Sequence, residues 1–521
     1  MKEATLAEIL NAREERMREQ SELLSEYGKP LVSFSMNIAG PVKNSPLIKK
    51  AFEEGIRLLD DALERKGVKV LCSRRRDEVT GCELLYVVSC PESSSDISDG
   101  SGLGTSSEEK RGQEIQIIKN ICVSIEEGSE MGRLFDMDVI DPDGVKVERA
   151  AERSCLICGK PGKGCASRRV HPVSELQKKT REIILDHFAV KEAEHISEMV
   201  TRALNEEVLT TPKPGLVDRN NNGSHSDMDI KTFAASANAL RGYWGRCFLT
   251  GHKTADSEPE ETFISLRKEG IEAEHEMLRA TGGVNTHKGA IFLIGTVCGA
   301  IGRLWNTGDG EVAGCISSHD ERFDRDDGVA VRDASHDERF DQDDGMAVRD
   351  ASHNERFDQD DGVSGRVASC IAEECRKMTG PAVEKELHEI DMPHTAGEKI
   401  WIEHGIKGAR GEIAGGLPGV METGLPVFER LLAEGADRNA AGSGAFIALI
   451  ARGTDTNMIK RGGADLAEQA AGWASGLVSD NRLTDTQAIE VMDRKFIELN
   501  LSPGGCADLL AITYFLYDYH N

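Results

Sequence analysis

Aromatic residues are scarce in this chain, at 5% of 521 residues with only four tryptophans. Net positive charge is missing altogether. A formal charge of −27 argues against a general nucleic-acid or anionic-membrane binder and leaves room only for a local basic site. Long apolar runs are missing too: the stretch from Ala290 to Ile301 falls short of the roughly 20 residues that cross a bilayer. Met1 to Gly28 is charged throughout, so no secretory signal is expected. No GxxxxGK[ST] sequence occurs, which excludes a Walker-type phosphate loop. What is present is globular: 39% hydrophobic and 29% charged residues, in a chain too long for one ordinary core. Thirteen scattered cysteines fit reduced thiols better than a disulfide framework. The expectation is a soluble, acidic, cytoplasmic protein of two or more domains that binds neither nucleic acid nor membrane.

The pattern changes once along the chain. Residues 1–186 read as α+β, a mixed sheet with helices. Helical spacing of Leu6, Ile9, Leu10, Met17 and Leu24 marks 5–26, and Pro46 opens a helix closed by Gly67. Pro30–Ile38, "VKVLC", "LLYVVSC" and "RLFDMDVI" read as strands, 113–127 as a helix, and the Ser/Gly-rich 91–112 as a flexible insert. From 190 to 521 the strand alternation disappears, and apolar helical segments alternate with Gly/Pro loops, so this part reads as all-α. The boundary falls near "LDHFAVKEAEHI". A 17-residue unit occurs three times in tandem over 318–368, carrying 16 acidic residues and 7 arginines, hence −9 of the −27. It lacks EF-hand spacing and reads as a low-complexity acidic insert, with a small stacked array as the alternative.

Polar clusters recur at the ends of the helical segments in the second half. "TPKPGLVDRNNNGSHSDMD" (211–229) offers Lys213 and Arg219 for phosphate, with Asn222 and His225 beside them. Its Asp218, Asp227 and Asp229 suit a metal or a general base. "ATGGVNTHKGAIF" places Asn285, His287 and Lys288 before an apolar helix, where free N–H groups and a lysine suit phosphate. "GARGEIAGGLPGV" adds Arg410 and Glu412, "DTNMIKRGG" adds Asp455, Lys460 and Arg461, and "LSPGGCADLLA" adds Gly504, Gly505 and Asp508. Carboxylates beside cations and glycines suit Mg²⁺ bridging a polyphosphate. Each cluster alone is weak, since Asp455 or Asp508 could be a plain helix cap.

These stretches, with "EAEHEMLRATGG" around Glu274, resemble the triphosphoribosyl-dephospho-CoA synthases. The resemblance implies that ATP and 3′-dephospho-CoA give the 2′-(5″-triphosphoribosyl) derivative and adenine. Asp218, Asp227, Glu274 and Asp455 are then the catalytic candidates, and Asp227, Asp229 and Asp508 the Mg²⁺ ligands. Cys506 stands where the family pattern has serine.

In the first half, "GRLFDMDVID" puts Asp136 and Asp138 two apart on a strand, hence on one face, beside Arg133. That suits Mg²⁺ at a pyrophosphate-releasing transfer; a solvated strand edge is the alternative. "SMNIAGPVKNSP" adds Asn37 and Lys43 in an anion-binding turn. Cys155, Cys158, Cys165 and His171 form a C-x₂-C-x₆-C-x₅-H array that fits tetrahedral Zn²⁺, with packed reduced thiols as the alternative. With "ILNAREER", these motifs resemble the holo-citrate lyase synthases, which implies a nucleotidyltransferase-like transfer of phosphoribosyl-dephospho-CoA to a serine of the citrate lyase acyl carrier (gamma) subunit. The product implied for the second half is the donor implied for the first. Three rivals stay open: an active synthase half alone, a Mg²⁺-dependent ribosyl glycohydrolase in the helical half, or a binding or scaffold role built on the acidic repeats.

Overall fold

The computed structural model describes residues 2–91, 107–305 and 363–521. These form two compact units, Met1–Phe188 and Ala189–Asn521. Most of the Ser/Gly stretch (92–106) and of the acidic repeats (to 362) lies outside the described residues.

The first unit carries α1 (Leu6–Tyr27), β1 (Leu31–Met36), α2 (Pro46–Arg65), β2 (Lys69–Glu78), β3 (Gly81–Ser89), α3 (Ser107–Glu127), β4 (Phe135–Ile140), α4 (Gly162–Arg168) and the start of α5 (Val173–Leu209). Local chemistry sets the ends. Thr5 and Glu8 close a capping box on α1, and Gly28 ends it in the left-handed region at φ +61°. Ser45 caps α2 ahead of Pro46. Helix α3 begins inside the expected flexible insert, which corrects its 112 boundary.

The sheet order is β2-β3-β1-β4, and every pairing is antiparallel, which corrects the expectation of a mixed sheet. The reason is topological: α2 returns the chain so that β2 runs parallel to β1, but β3 then inserts between them. Phe34 stacks on Phe52 at 4.7 Å and meets Phe135 edge-on at 5.4 Å, forming the core under β1 and β4. Only glycine fits at 55, because a Cβ there would lie 2.4 Å from the Phe34 ring.

The second unit is helical throughout its described residues. After α5 come α6 (Ile230–Lys253), α7 (Pro259–Ala280), α8 (Lys288–Trp305), α9 (Val363–His388), α10 (Ala396–His404) and α11 (Gly408–Ala414). Then follow α12 (Leu425–Ala433), α13 (Arg438–Ala451), α14 (Thr456–Gly462), α15 (Ala464–Ser479), α16 (Thr486–Glu498) and α17 (Gly504–His520). Helix α8 is long and apolar enough to cross a membrane by composition, yet it is 72% buried as the core helix of this unit. Close packing against two helices explains its glycines: a Cβ at Gly299 would strike the Leu266 side chain of α7, and one at Gly302 would lie 1.9 Å from Phe248 O of α6. At its far end Arg303 is buried against Glu374 (2.6 Å) and also donates to Thr254 O and Thr262 Oγ1, so its charge is matched and its N–H groups are used.

Candidate active sites

In the helical unit the 211–229 loop is fastened before it is functional. Asp218, 2% exposed, accepts from the Lys213, Asn220 and Asn221 amides. Asp493 accepts from Gly215 N and Asn221 Nδ2, and Ser224 Oγ donates to Leu501 O. Each such buried bond is worth about 1 kcal/mol net. Gly215 and Gly223 have positive φ, and a Cβ at either would lie about 2.5 Å or less from backbone. Asp229 caps α6 through Thr232 N. Asp218 and Asp229 thus spend their oxygens on the fold; with Arg219 and Asn222, both exposed, they lie off the cavity wall.

That cavity holds about 490 Å³. Its wall brings together Lys213, His225, Asp227, Asn285, His287, Lys288, Glu412, Asp455, Lys460, Arg461, Ser502, Gly504, Gly505 and Asp508 from the polar clusters read in the sequence, and adds Glu207. Helices α8 and α17 both begin at this wall, aiming free N–H groups and positive dipole ends at it. Glu274 lines a second cavity of about 250 Å³ and pairs with Lys288 at 2.7 Å. Arg410 pairs with Glu398 at 3.4 Å, off the wall.

The wall residues differ in what they have left to offer. Lys213, 1% exposed, donates to Glu207 O and to the Glu207 carboxylate, a buried pair that sequence reading missed. Its signal was an acid on the buried stripe of α5, since Glu207 follows Ala203 and Leu204 at helical spacing. Asp455 caps α14 through the Asn457 and Met458 amides and accepts from Cys506 N at 2.9 Å, so both its oxygens are used. Glu412 keeps one oxygen uncommitted while the other accepts from Gly419 N at 2.8 Å. Burial pushes Glu412 above the usual carboxylate range. It pushes Asp508 well up, reinforced by the negative charges of Glu207 and Asp455. A Cβ at Gly289 would lie 1.9 Å from Asp508 Oδ2, so only glycine allows that carboxylate against the start of α8.

His287 is drawn down to about 3, by burial and then by Lys213, and is therefore neutral. Thr286 Oγ1 donates to Ser236 Oγ, which sits 2.7 Å from His287 Nδ1; Nε2 is buried without a partner. With Ser236 Oγ accepting from Thr286 and donating its own hydrogen bond to Nδ1, the ring hydrogen sits on Nε2. His225 joins Ser502 Oγ at 2.9 Å and Arg461 at 3.2 Å.

In the α+β unit Asp136 and Asp138 share the open face of β4, alternating with buried Phe135, Met137 and Val139. Asp138 pairs with Lys146 at 2.5 Å, and Asp136 lies 3.9 Å from Arg153. Arg133 donates to Ser154 O, Ser154 Oγ and Cys155 O. Asn37 is exposed beyond β1, and Lys43 donates to Ile38 O. Cys155, Cys158, Cys165 and His171 place one ligand atom each within 4.8 Å of one another. The Cys158 thiol is lowered to about 6, first by the Lys160 amide. No other group of three or more metal-type ligands gathers among the described residues.

Residues 193–521 match the family described as ATP:dephospho-CoA triphosphoribosyl transferase, and residues 4–97 and 110–187 that described as apo-citrate lyase phosphoribosyl-dephospho-CoA transferase. A CitXG protein of Haemophilus influenzae is 30% identical, over 99% of this chain and 97% of its own. A Leuconostoc mesenteroides CitXG protein is 26% identical over 98% and 96%. The 2-(5″-triphosphoribosyl)-3′-dephosphocoenzyme-A synthase of Klebsiella pneumoniae is 34% identical, over 62% of this chain and 90% of its own.

Proposed function

We propose, for a chain that belongs to the CitXG family of fused transferases, that residues 190–521 make the citrate lyase prosthetic-group precursor and residues 1–186 attach it. The observation that carries the reading is the 490 Å³ cavity, where carboxylates, cations and two helix starts converge. A triphosphate fits the cationic side, with Lys288, Lys460 and Arg461 meeting its charge.

In the first reaction the ribose 2′-hydroxyl of 3′-dephospho-CoA attacks C1 of the ATP ribose. The C1–N9 bond breaks, adenine leaves with the electron pair and a proton, and the triphosphate stays whole. Glu412 takes the hydroxyl proton, its raised affinity matching a general base. Neutral His287 keeps its Nε2 hydrogen and donates it as a hydrogen bond to the departing purine. The proton that adenine carries away comes from water and is balanced by the one Glu412 takes from the hydroxyl and returns to solvent. The remaining carboxylates stabilise the oxocarbenium-like charge. Mg²⁺ arriving with ATP would be held by Asp227 and Asp508 and would offset phosphate charge; hard oxygen donors, few in number, suit an ion that keeps water and phosphate ligands.

In the second reaction a serine hydroxyl of the citrate lyase acyl carrier subunit attacks the α-phosphate of the triphosphoribosyl arm. The new P–O bond forms as the bond to pyrophosphate breaks. Asp136 and Asp138 suit a second Mg²⁺, and Arg133 and Arg153 the phosphates, a nucleotidyltransferase-like arrangement. The acidic repeats over 318–368 are an insert in the synthase half, and the setting is cytoplasmic. Mass spectrometry of the apo carrier incubated with this protein, ATP and dephospho-CoA tests both steps. The expected result is adenine release and a mass gain of one phosphoribosyl-dephospho-CoA group. Adenine release with ribose triphosphate and no coupled product would replace the synthase reading with a glycohydrolase.

A further inference from the structure

The cysteine cluster lies away from the Asp136 pair in sequence, but Arg133 bonds its backbone at Cys155 and Arg153, two residues before Cys155, lies 3.9 Å from Asp136; neither reaction uses a thiol. Residues 154–161 close on themselves: Cys155 N donates to Lys160 O (2.6 Å), Gly159 N to Cys155 O (3.1 Å), and Ser154 bridges Pro161. Gly159 makes the turn at φ +70°. This tight turn presents Cys155 and Cys158 to one side. Helix α4 presents Cys165, whose sulfur lies 3.5 Å from that of Cys158. His171, before α5, completes the group. Its Nε2 is buried with no hydrogen-bond partner, while Nδ1 faces Glu175 Oε2 at 3.4 Å.

We propose that these four residues bind one structural zinc ion, and that the ion fixes the 153–155 segment, which anchors Arg133 through Ser154 and Cys155 and sets Arg153 beside Asp136. Four donors within 4.8 Å of one another match a tetrahedron of 2.3 Å Zn–S bonds, whose sulfurs stand roughly 3.8 Å apart. Three thiolates and an imidazole select zinc over hard cations. A carboxylate on the far nitrogen is the usual outer partner of a zinc-bound histidine. A Cys158–Cys165 disulfide would leave Cys155 and the Nε2 orphan unexplained. The ion is closed off by four protein ligands, so its effect on transfer is positional: Ser154 O, Ser154 Oγ and Cys155 O accept from Arg133, and Arg153 bonds Phe135 O at 2.7 Å and pairs with Glu126.

The zinc assignment stands apart from the proposed reactions; only its positional role rests on that reading. The test is metal analysis of the full chain, purified without chelator under reducing conditions, with Co²⁺ exchange as a second probe. About one zinc per chain and an intense thiolate–cobalt spectrum are expected. Cys155→Ser/Cys165→Ser loses both signals, and Glu175→Gln weakens zinc binding roughly 10- to 100-fold. The double variant keeps adenine release, which shows that the helical unit is folded, while transfer to the carrier falls by about tenfold or more. Wild-type protein without stoichiometric zinc and without a thiolate–cobalt band overturns the site. So does a Cys158–Cys165 disulfide in freshly reduced and purified protein. Zinc loss with transfer unchanged overturns the positional role. If wild type shows no transfer at all, the transfer reading fails while metal content still decides the site.

Discussion

The two units put their carboxylates to work in opposite ways. In the α+β unit, strand β4 displays Asp136 and Asp138 on an open face simply by alternating with buried neighbours. In the helical unit no single element displays anything. The cavity wall is assembled from loop and helix ends spread from Glu207 to Asp508; Asp455 on the wall, and Asp218, Asp229 and Asp493 behind it, are consumed in holding those ends. A strand shows chemistry by its own geometry, whereas a helical bundle must first spend polar groups to build the place where chemistry happens.

Substitutions that break one unit and spare the other sharpen this contrast. The largest effect is expected from Glu412→Gln: adenine release should fall about 10³-fold, and the acid limb of the rate profile should vanish with it. Because burial raises the Glu412 affinity for protons, that limb in wild type lies above the ordinary carboxylate range. Carrier transfer from supplied triphosphoribosyl-dephospho-CoA should not change. Asp136→Asn is the mirror experiment, lowering transfer about 10²-fold with adenine release intact. Gly289→Ala, which drives Asp508 off its seat, should cost the synthase about 10²-fold and stability about 1–3 kcal/mol by denaturant titration.

His287→Asn probes pH rather than rate. Between pH 6.5 and about 3 the unfolded chain takes a proton that the folded His287 refuses, so acidification in that window favours unfolding. The variant should lose that part of the acid slope in midpoints measured against pH. The smallest effect is assigned to Lys146→Ala. Its pair with Asp138 is solvent-exposed on the lysine side, and stability should move by less than about 1 kcal/mol.

How much was legible follows from the same contrast. The Asp136 pair and the Cys/His array could be read because strand period and ligand type are local. The 211–229 loop was legible as rich in chemistry, but not in its division of labour. Whether Asp218 meets substrate or backbone depends on the loop folding back on Asn221, and Asp493 enters from a helix far along the chain. Glu207 went unread because it lies inside a helix rather than at a polar loop. Helix α16 carries its own local signal: Asp485 caps it, and Ile489, Met492 and Phe496 are buried at helical spacing. Helices α10, α11 and α14 are too short for periodicity to speak. The junction of the units falls inside the continuous helix α5, so no loop composition marked it.

Gly289 carries a consequence for how this synthase can vary. A single hydrogen atom there is the whole vacancy that Asp508 occupies, so position 289 is closed to drift until 508 changes, and 508 cannot lengthen while 289 stays fixed. The two positions form a lock in sequence space. A chain in which glycine at 289 has been replaced would therefore be expected to have abandoned the aspartate as well, even where every other charged motif around the cavity still reads as intact.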